Sequence, residues 1–278
     1  MAYGIRQSSA QASTPCRFCA SRWRGACKGV DAHDALGLAA LEAAKSPLRI
    51  YEAGDVIYTQ GDPNTHVFNL ISGWVEVHRD TADGRRQIVQ FLQPGAFFGL
   101  EPDDEELGES AMAITNAVIC PITTNKFHEL RRSIPSLDEH FISLLQRDSR
   151  SLVKALTGLG LGNAKERIGG LLWRLAVTGA GQLARLQEGC VVPMPLTQRH
   201  IAEATGLTSI HVNRVLRQLR ENHVVELRDA KLTILNVKKL RAIAEPGVDL
   251  EAVMSSERRE FRRGMLGDGG AAAADCGA

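Results

Sequence analysis

The chain has no apolar run approaching the roughly 18 residues needed to cross a bilayer. Its first fifteen residues are polar and small, without the charged-then-apolar order of a secretory signal. A cytoplasmic protein with no membrane contact is therefore expected. No charge of one sign dominates the whole, since the formal net charge is +1 over 278 residues, so electrostatic partners must be sought region by region. Catalytic signatures are missing too: there is no Walker loop, nucleophile elbow or zincin helix, and the histidines are scattered. An enzyme is not expected. What the chain does have is 44% hydrophobic residues, enough for two compact domains plus tails.

Charge is unevenly divided. Residues 46–132 hold seven Lys/Arg against thirteen Asp/Glu, a net of −6, whereas residues 163–245 hold thirteen against seven, a net of +6. A basic carboxy-terminal region suits a phosphate backbone, although a solvated charged face gives the same count. The six cysteines, in a reducing compartment, are better read as ligands or buried thiols than as a disulfide framework.

The pattern of the chain divides it further. Residues 1–15 are expected to be disordered, and a short helix is expected from about Asp34 to Ala44. From Leu48 to Phe127 come short alternating runs such as Val67 to Ile71, Trp74 to Val77 and Gln87 to Phe91. Breaks at Gly54, Gly61, Gly73, Gly84 and Gly95 separate them, which is the pattern of a β jelly roll. Pro135 can open a helix, and Leu137, Phe141, Leu144, Leu145, Leu152 and Leu156 recur at helical spacing. This stripe can pack on its own barrel or on the same helix of a second subunit; pairing as a homodimer is favoured, because DNA readers usually match a two-fold site. Gly158-Leu159-Gly160-Leu161-Gly162 follows a helix and lacks a βαβ frame, so a hinge is expected there instead of a dinucleotide loop. Residues 246–278, with Arg258, Arg259, Arg262 and Arg263 before a Gly/Ala tail, are expected to be disordered.

The segment from Gln198 to Leu216 has the spacing of a helix-turn-helix. Ala202 is small where two helices cross, Gly206 can take the positive φ of the turn, and Leu207, Val212 and Val215 face inward. Thr208 can cap the second helix, whose exposed Ser209, Ile210, Asn213, Arg214 and Arg217 are the candidates to touch DNA. Arginine can grip guanine and asparagine adenine in bidentate fashion, while Ser209 and Arg217 suit phosphates. Residues 224–236 alternate about Asp229-Ala230-Lys231, as in a hairpin wing.

Cys16, Cys19 and Cys27 stand in the arrangement C-x2-C-x7-C, and Cys120 follows ninety-three positions on, inside a strand-like run. Iron-sulfur clusters use four such thiolates, whereas structural zinc usually draws its cysteines as two close pairs. A lone Cys120 could also be a simple buried thiol. Cys190 and Cys276 have no partner pattern.

Jelly roll, long helix, winged helix-turn-helix and four cysteines together resemble the CRP/FNR superfamily of bacterial regulators, over about residues 16–245. The cysteine layout is similar to that of its oxygen-sensing FNR branch. The resemblance implies an α+β chain with a sensor domain at 16–132, a dimerisation helix at 133–160 and a winged helix-turn-helix at 161–245. It further implies a 4Fe-4S cluster on Cys16, Cys19, Cys27 and Cys120, and a homodimer that binds double-stranded DNA and works with RNA polymerase while that cluster is intact. Nitric oxide, a haem ligand or thiol redox are alternative signals, and zinc an alternative metal. Two departures stand out. FNR proteins typically read DNA with Glu, Ser and Arg, where this helix has Ile210, Asn213 and Arg214, so the usual half-site is not expected. The cyclic-nucleotide branch places an arginine before Ser-Ala to hold the phosphate, where this chain has Glu109 before Ser110-Ala111, amid Asp103, Asp104, Glu105 and Glu106. Cyclic nucleotide binding is therefore not expected.

Overall fold

The computed structural model describes residues 15–19, 25–101, 106–180 and 186–246. The tails expected to be disordered thus lie outside the described residues, apart from Pro15 and Pro246. The chain divides into two compact units, Met1–Arg150 and Ser151–Ala278.

The first unit is a sandwich of two four-stranded antiparallel sheets. One has the order β1 (Arg49–Tyr51), β8 (Ala117–Thr123), β3 (His66–Ser72), β6 (Phe97–Phe98); the other runs β2 (Val56–Tyr58), β7 (Ser110–Ala113), β4 (Val75–Asp80), β5 (Arg86–Leu92). The expected jelly roll is present, and the glycine-bearing breaks fall between its strands. Alternation explains how β3 serves two cores. Phe68 and Leu70 point into the sandwich with Val75, Val77 and Ile119, while Val67 joins Ile122 on the other face.

Three helices cover that other face: α1 (Ala35–Ala44), α2 (Thr124–Ser133) and the start of α3 (Pro135–Leu161). The Asp34 side chain caps α1 by accepting from Gly37 N–H. Phe97, Phe127 and Phe141 lock the layer together. Phe97 and Phe127 lie 4.6 Å apart between ring centroids, and Phe141 meets both edge-on. The Arg131 guanidinium lies over the Phe141 ring and pairs with Asp138 at 2.6 Å.

The second unit contains α4 (Ala164–Ala180), β9 (Val191–Pro193), α5 (Gln198–Thr205), α6 (Ser209–Glu221), β10 (Val225–Arg228), β11 (Lys231–Ile234) and α7 (Val237–Ala244). Its sheet has the order β10-β11-β9, so the expected wing has a third strand that the sequence pattern did not reveal. The wing turns on Asp229 and Ala230, both left-handed at φ 51° and 57°. The glycine-rich stretch expected as a hinge is mostly helical. Gly158 and Gly160 lie inside α3, and the break comes only at Gly162–Asn163.

Candidate functional site

The four amino-terminal and central thiols occupy the layer between the first sheet and its helices. Cys16 begins a 3-10 turn (Cys16–Phe18), Cys19 ends it, and Cys27 lies in a second such turn (Ala26–Gly29). Cys16 and Cys27 pack against the cluster built on Val67, Phe127 and Phe141. Cys120 comes from β8, where its backbone partner on β3 is Asn69. The buried Asn69 amide donates to Cys27 Sγ at 3.6 Å and so ties the loop thiol to β3, the strand paired with the one that carries Cys120. All four are half-buried and unbridged.

Their electrostatics couple them. Burial, then a hydrogen bond with Glu42, pushes the Cys16 thiol up to about 12. Burial, then the neighbouring Cys16 and Cys19, pushes Cys120 up to about 12 as well. As free thiols Cys16 and Cys120 hold their protons at neutral pH, and a thiophilic metal would have to displace them. Glu42 and Lys45, which no motif announced, complete the setting. The Glu42 carboxylate accepts from Cys16 N–H at 2.8 Å and pairs with Lys45. Burial works against the Lys45 charge, but Glu42 and Cys16 outweigh it and hold that ammonium above its ordinary range. In type and number the donors suit a soft, thiolate-preferring metal centre. Among the described residues, no three His, Cys, Asp or Glu side chains close on a common point for a single ion.

The thiol layer also touches α3. A Cβ on Gly29 would stand 2.7 Å from both the Leu137 Cα and the Ser136 carbonyl oxygen, so only glycine lets the loop lie so close to the helix backbone. On α3 itself the apolar stripe divides in two. Leu137 and Phe141 are buried in their own unit, with Leu144 partly buried against them, whereas Leu145, Leu152 and Leu156 are 47, 48 and 72% exposed. Phe141, expected on the pairing face, instead belongs to the core of the first unit.

In the barrel, Glu109 precedes Ser110 and Ala111 of β7 and faces a second carboxylate. Burial and then Glu101 hold the Glu109 carboxyl above its ordinary range, against the pull of Arg79.

In the second unit, α5 and α6 form the helix-turn-helix. Thr197 and His200 make a capping box at the start of α5, which gives His200 a structural role. Gly206 takes φ 64° between the helices, and the Thr208 side chain caps α6 by accepting from His211 N–H at 3.3 Å. Val212, Val215 and Leu219 are buried. The opposite face opens on a shallow concavity lined by Gln198, Ser209, Ile210, Asn213, Arg214 and Arg217. All five residues expected to meet DNA are therefore brought together. Gln198 joins them because α5 begins beside α6, a juxtaposition that its sequence position alone does not reveal.

A β sandwich with a helical cover, followed by a winged helix-turn-helix, defines a sensor domain coupled to a DNA reader. Residues 48–133 match the cyclic nucleotide-binding domain and residues 166–243 the Crp-like helix-turn-helix domain. The nitrogen fixation regulation protein FixK of Rhizobium meliloti is 31% identical over 195 residues, covering 69% of this chain and 85% of its own. The transcriptional activator protein FnrL of Cereibacter sphaeroides is 27% identical over 235 residues, covering 84% of this chain and 92% of its own. In fold, the chain is similar to FixK2 from Bradyrhizobium japonicum, with a TM-score of 0.64, 22% identity, and 73% and 99% of the two chains covered. The chain belongs to the CRP/FNR family of DNA-binding transcriptional regulators. Its relatives are regulators rather than enzymes, and no helix among the described residues is long and apolar enough to cross a membrane.

Proposed function

We propose that the protein is an oxygen- or redox-responsive transcriptional activator that holds a 4Fe-4S cluster on Cys16, Cys19, Cys27 and Cys120 and binds a palindromic promoter site as a homodimer. The observation that carries this reading is the gathering of four coupled, half-buried thiols in one layer. A four-iron cluster would draw on four thiolates, and Cys16, Cys19, Cys27 and Cys120 are the residues that would supply them. The raised Cys16 and Cys120 are poor candidates for a bare thiol switch, because a protonated thiol is a poor nucleophile.

When bound, the cluster supplies an oxidisable iron-sulfur centre. The chain's own residues do the rest. Asn69 steadies the Cys27 sulfur, and Glu42 fixes the Cys16 backbone. Lys45 is the cation beside the thiols. Gly29 presses the ligand loop onto the first turn of α3, so a loop that repacks with cluster occupancy biases how that helix is presented. The exposed Leu145, Leu152 and Leu156 offer the face on which a second copy pairs, and α6 of each copy enters the major groove. The bound dimer then engages RNA polymerase.

Anaerobic purification followed by iron and acid-labile sulfide assay tests the reading. About four of each per chain, lost in air together with DNA binding, is the expected result. Tightly held zinc without sulfide would overturn the cluster and leave a family member answering another signal.

A further inference from the structure

The outward face of α6 carries one large apolar side chain among polar ones. Ile210 is 83% exposed, while Val212, Val215 and Leu219 are buried on the other side of the helix. Positions 210, 213, 214 and 217 share one face at intervals of three, four and seven. Every other residue lining the concavity is polar or cationic: Gln198, Ser209, Asn213, Arg214 and Arg217. Ile210 adds nothing to the core of its unit, and its side chain has no atom with which to hold a phosphate or a polar base edge. It gains free energy there only by meeting another apolar group.

In the major groove the apolar group presented at base edges is the thymine 5-methyl. We propose that Ile210 is a specificity-determining residue that packs on a thymine methyl in each half-site, beside the bases read by Asn213 and Arg214. This rests on the DNA-reading role of α6 and does not depend on the cysteines. The helix rises about 1.5 Å per residue, so Ile210 stands roughly 4.5 to 6 Å along the axis from Asn213 and Arg214. At about 3.4 Å per base-pair step, that separation is one to two steps. The half-site therefore carries a thymine within about two base pairs of the bases that Asn213 and Arg214 recognise. A carboxylate at position 210 would instead accept from cytosine N4, a partner that isoleucine cannot satisfy.

The test uses the full chain, purified anaerobically, to select duplexes from a random pool. The enriched site is then resynthesised with deoxyuridine replacing each thymine singly, which removes only the methyl. Affinity is expected to fall about fourfold at one thymine per half-site, the worth of one buried methyl group. Ile210→Ala is expected to bind the thymine and uridine forms alike, and Ile210→Glu to move the selected base at that position to cytosine. Because Ile210 is exposed, these variants leave no cavity, and unchanged melting curves verify their folding. Tight binding that tolerates uridine throughout would overturn the proposal, as would a uridine penalty that persists in Ile210→Ala. A protein that selects no duplex at all would instead overturn the DNA-reading role, and this inference with it.

Discussion

Glu109 places a half-buried carboxylate just before β7, beside the carboxylate of Glu101. Its carboxyl is held above the ordinary 4.5, first by burial and then by the Glu101 carboxylate. Above that value the ionised side chain costs the folded state something the unfolded chain does not bear, and below it both states hold the proton. Stability tied to this group is thus fully present below pH 4.5 and lost as pH rises through the folded-state value. Glu109→Gln should raise the melting temperature at pH 7, by an amount worth less than about 1 kcal/mol at so solvated a site, and leave it unchanged near pH 4. Cyclic nucleotide should shift neither melting curve. The anionic character of this position was legible because one carboxylate replaces one cation in a short motif. The proposed cysteine ligand set was read in the same way, from residue type and spacing alone. Glu42, Lys45, Asn69 and Gln198 were not, because each reaches its site through packing between elements distant in sequence.

At the scale of the element, α3 has to satisfy two surfaces with one stripe. Its 27 residues make a rod about 40 Å long, whose first turns are buried in the first unit and whose later turns are not. Hydrophobic period identified the helix and its proline start but could not say which partner each residue meets, so Phe141 read like Leu152. Burial separates them. Phe141 is 1% exposed and Leu152 48%, and burying a leucine of the exposed group contributes about 1.5 to 3 kcal/mol. The double variant Leu152→Glu, Leu156→Glu should therefore sediment as a monomer, against the dimer expected of the natural chain. Its protomer should still fold, since exposed substitutions cost within about 0.5 kcal/mol each, and its melting curve should fall only by what pairing contributed. A dimer that survives both charges would remove α3 from the pairing surface. The wing shows the same limit of period: its two strands alternate clearly, whereas β9 is only three residues long and leaves too little pattern to read.

For the whole molecule, the proposed function requires sensing and DNA reading to share an element, and the contact of Gly29 with the start of α3 is where the cysteine loop would reach one. The cysteine loop lies against the α3 backbone at distances a side chain cannot share, 2.7 Å from a hypothetical Cβ to both Leu137 Cα and Ser136 O. Backbone atoms cannot rotate away, so Gly29→Ala has to displace the loop, the start of α3, or both. The cysteines themselves are untouched, and the variant should still take up iron and sulfide. If loop position biases helix pairing, it should dimerise more weakly and bind DNA with lower affinity at a given protein concentration, and excess protein should restore binding. The substitution leaves the proposed DNA surface on α6 untouched, so the slope of log affinity against log salt should match that of the natural chain. Sedimentation and a salt series of DNA titrations measure both quantities. A loss of affinity with a shallower salt slope would place the damage in the DNA surface, while binding equal to the natural chain would show that the position of this loop does not govern pairing.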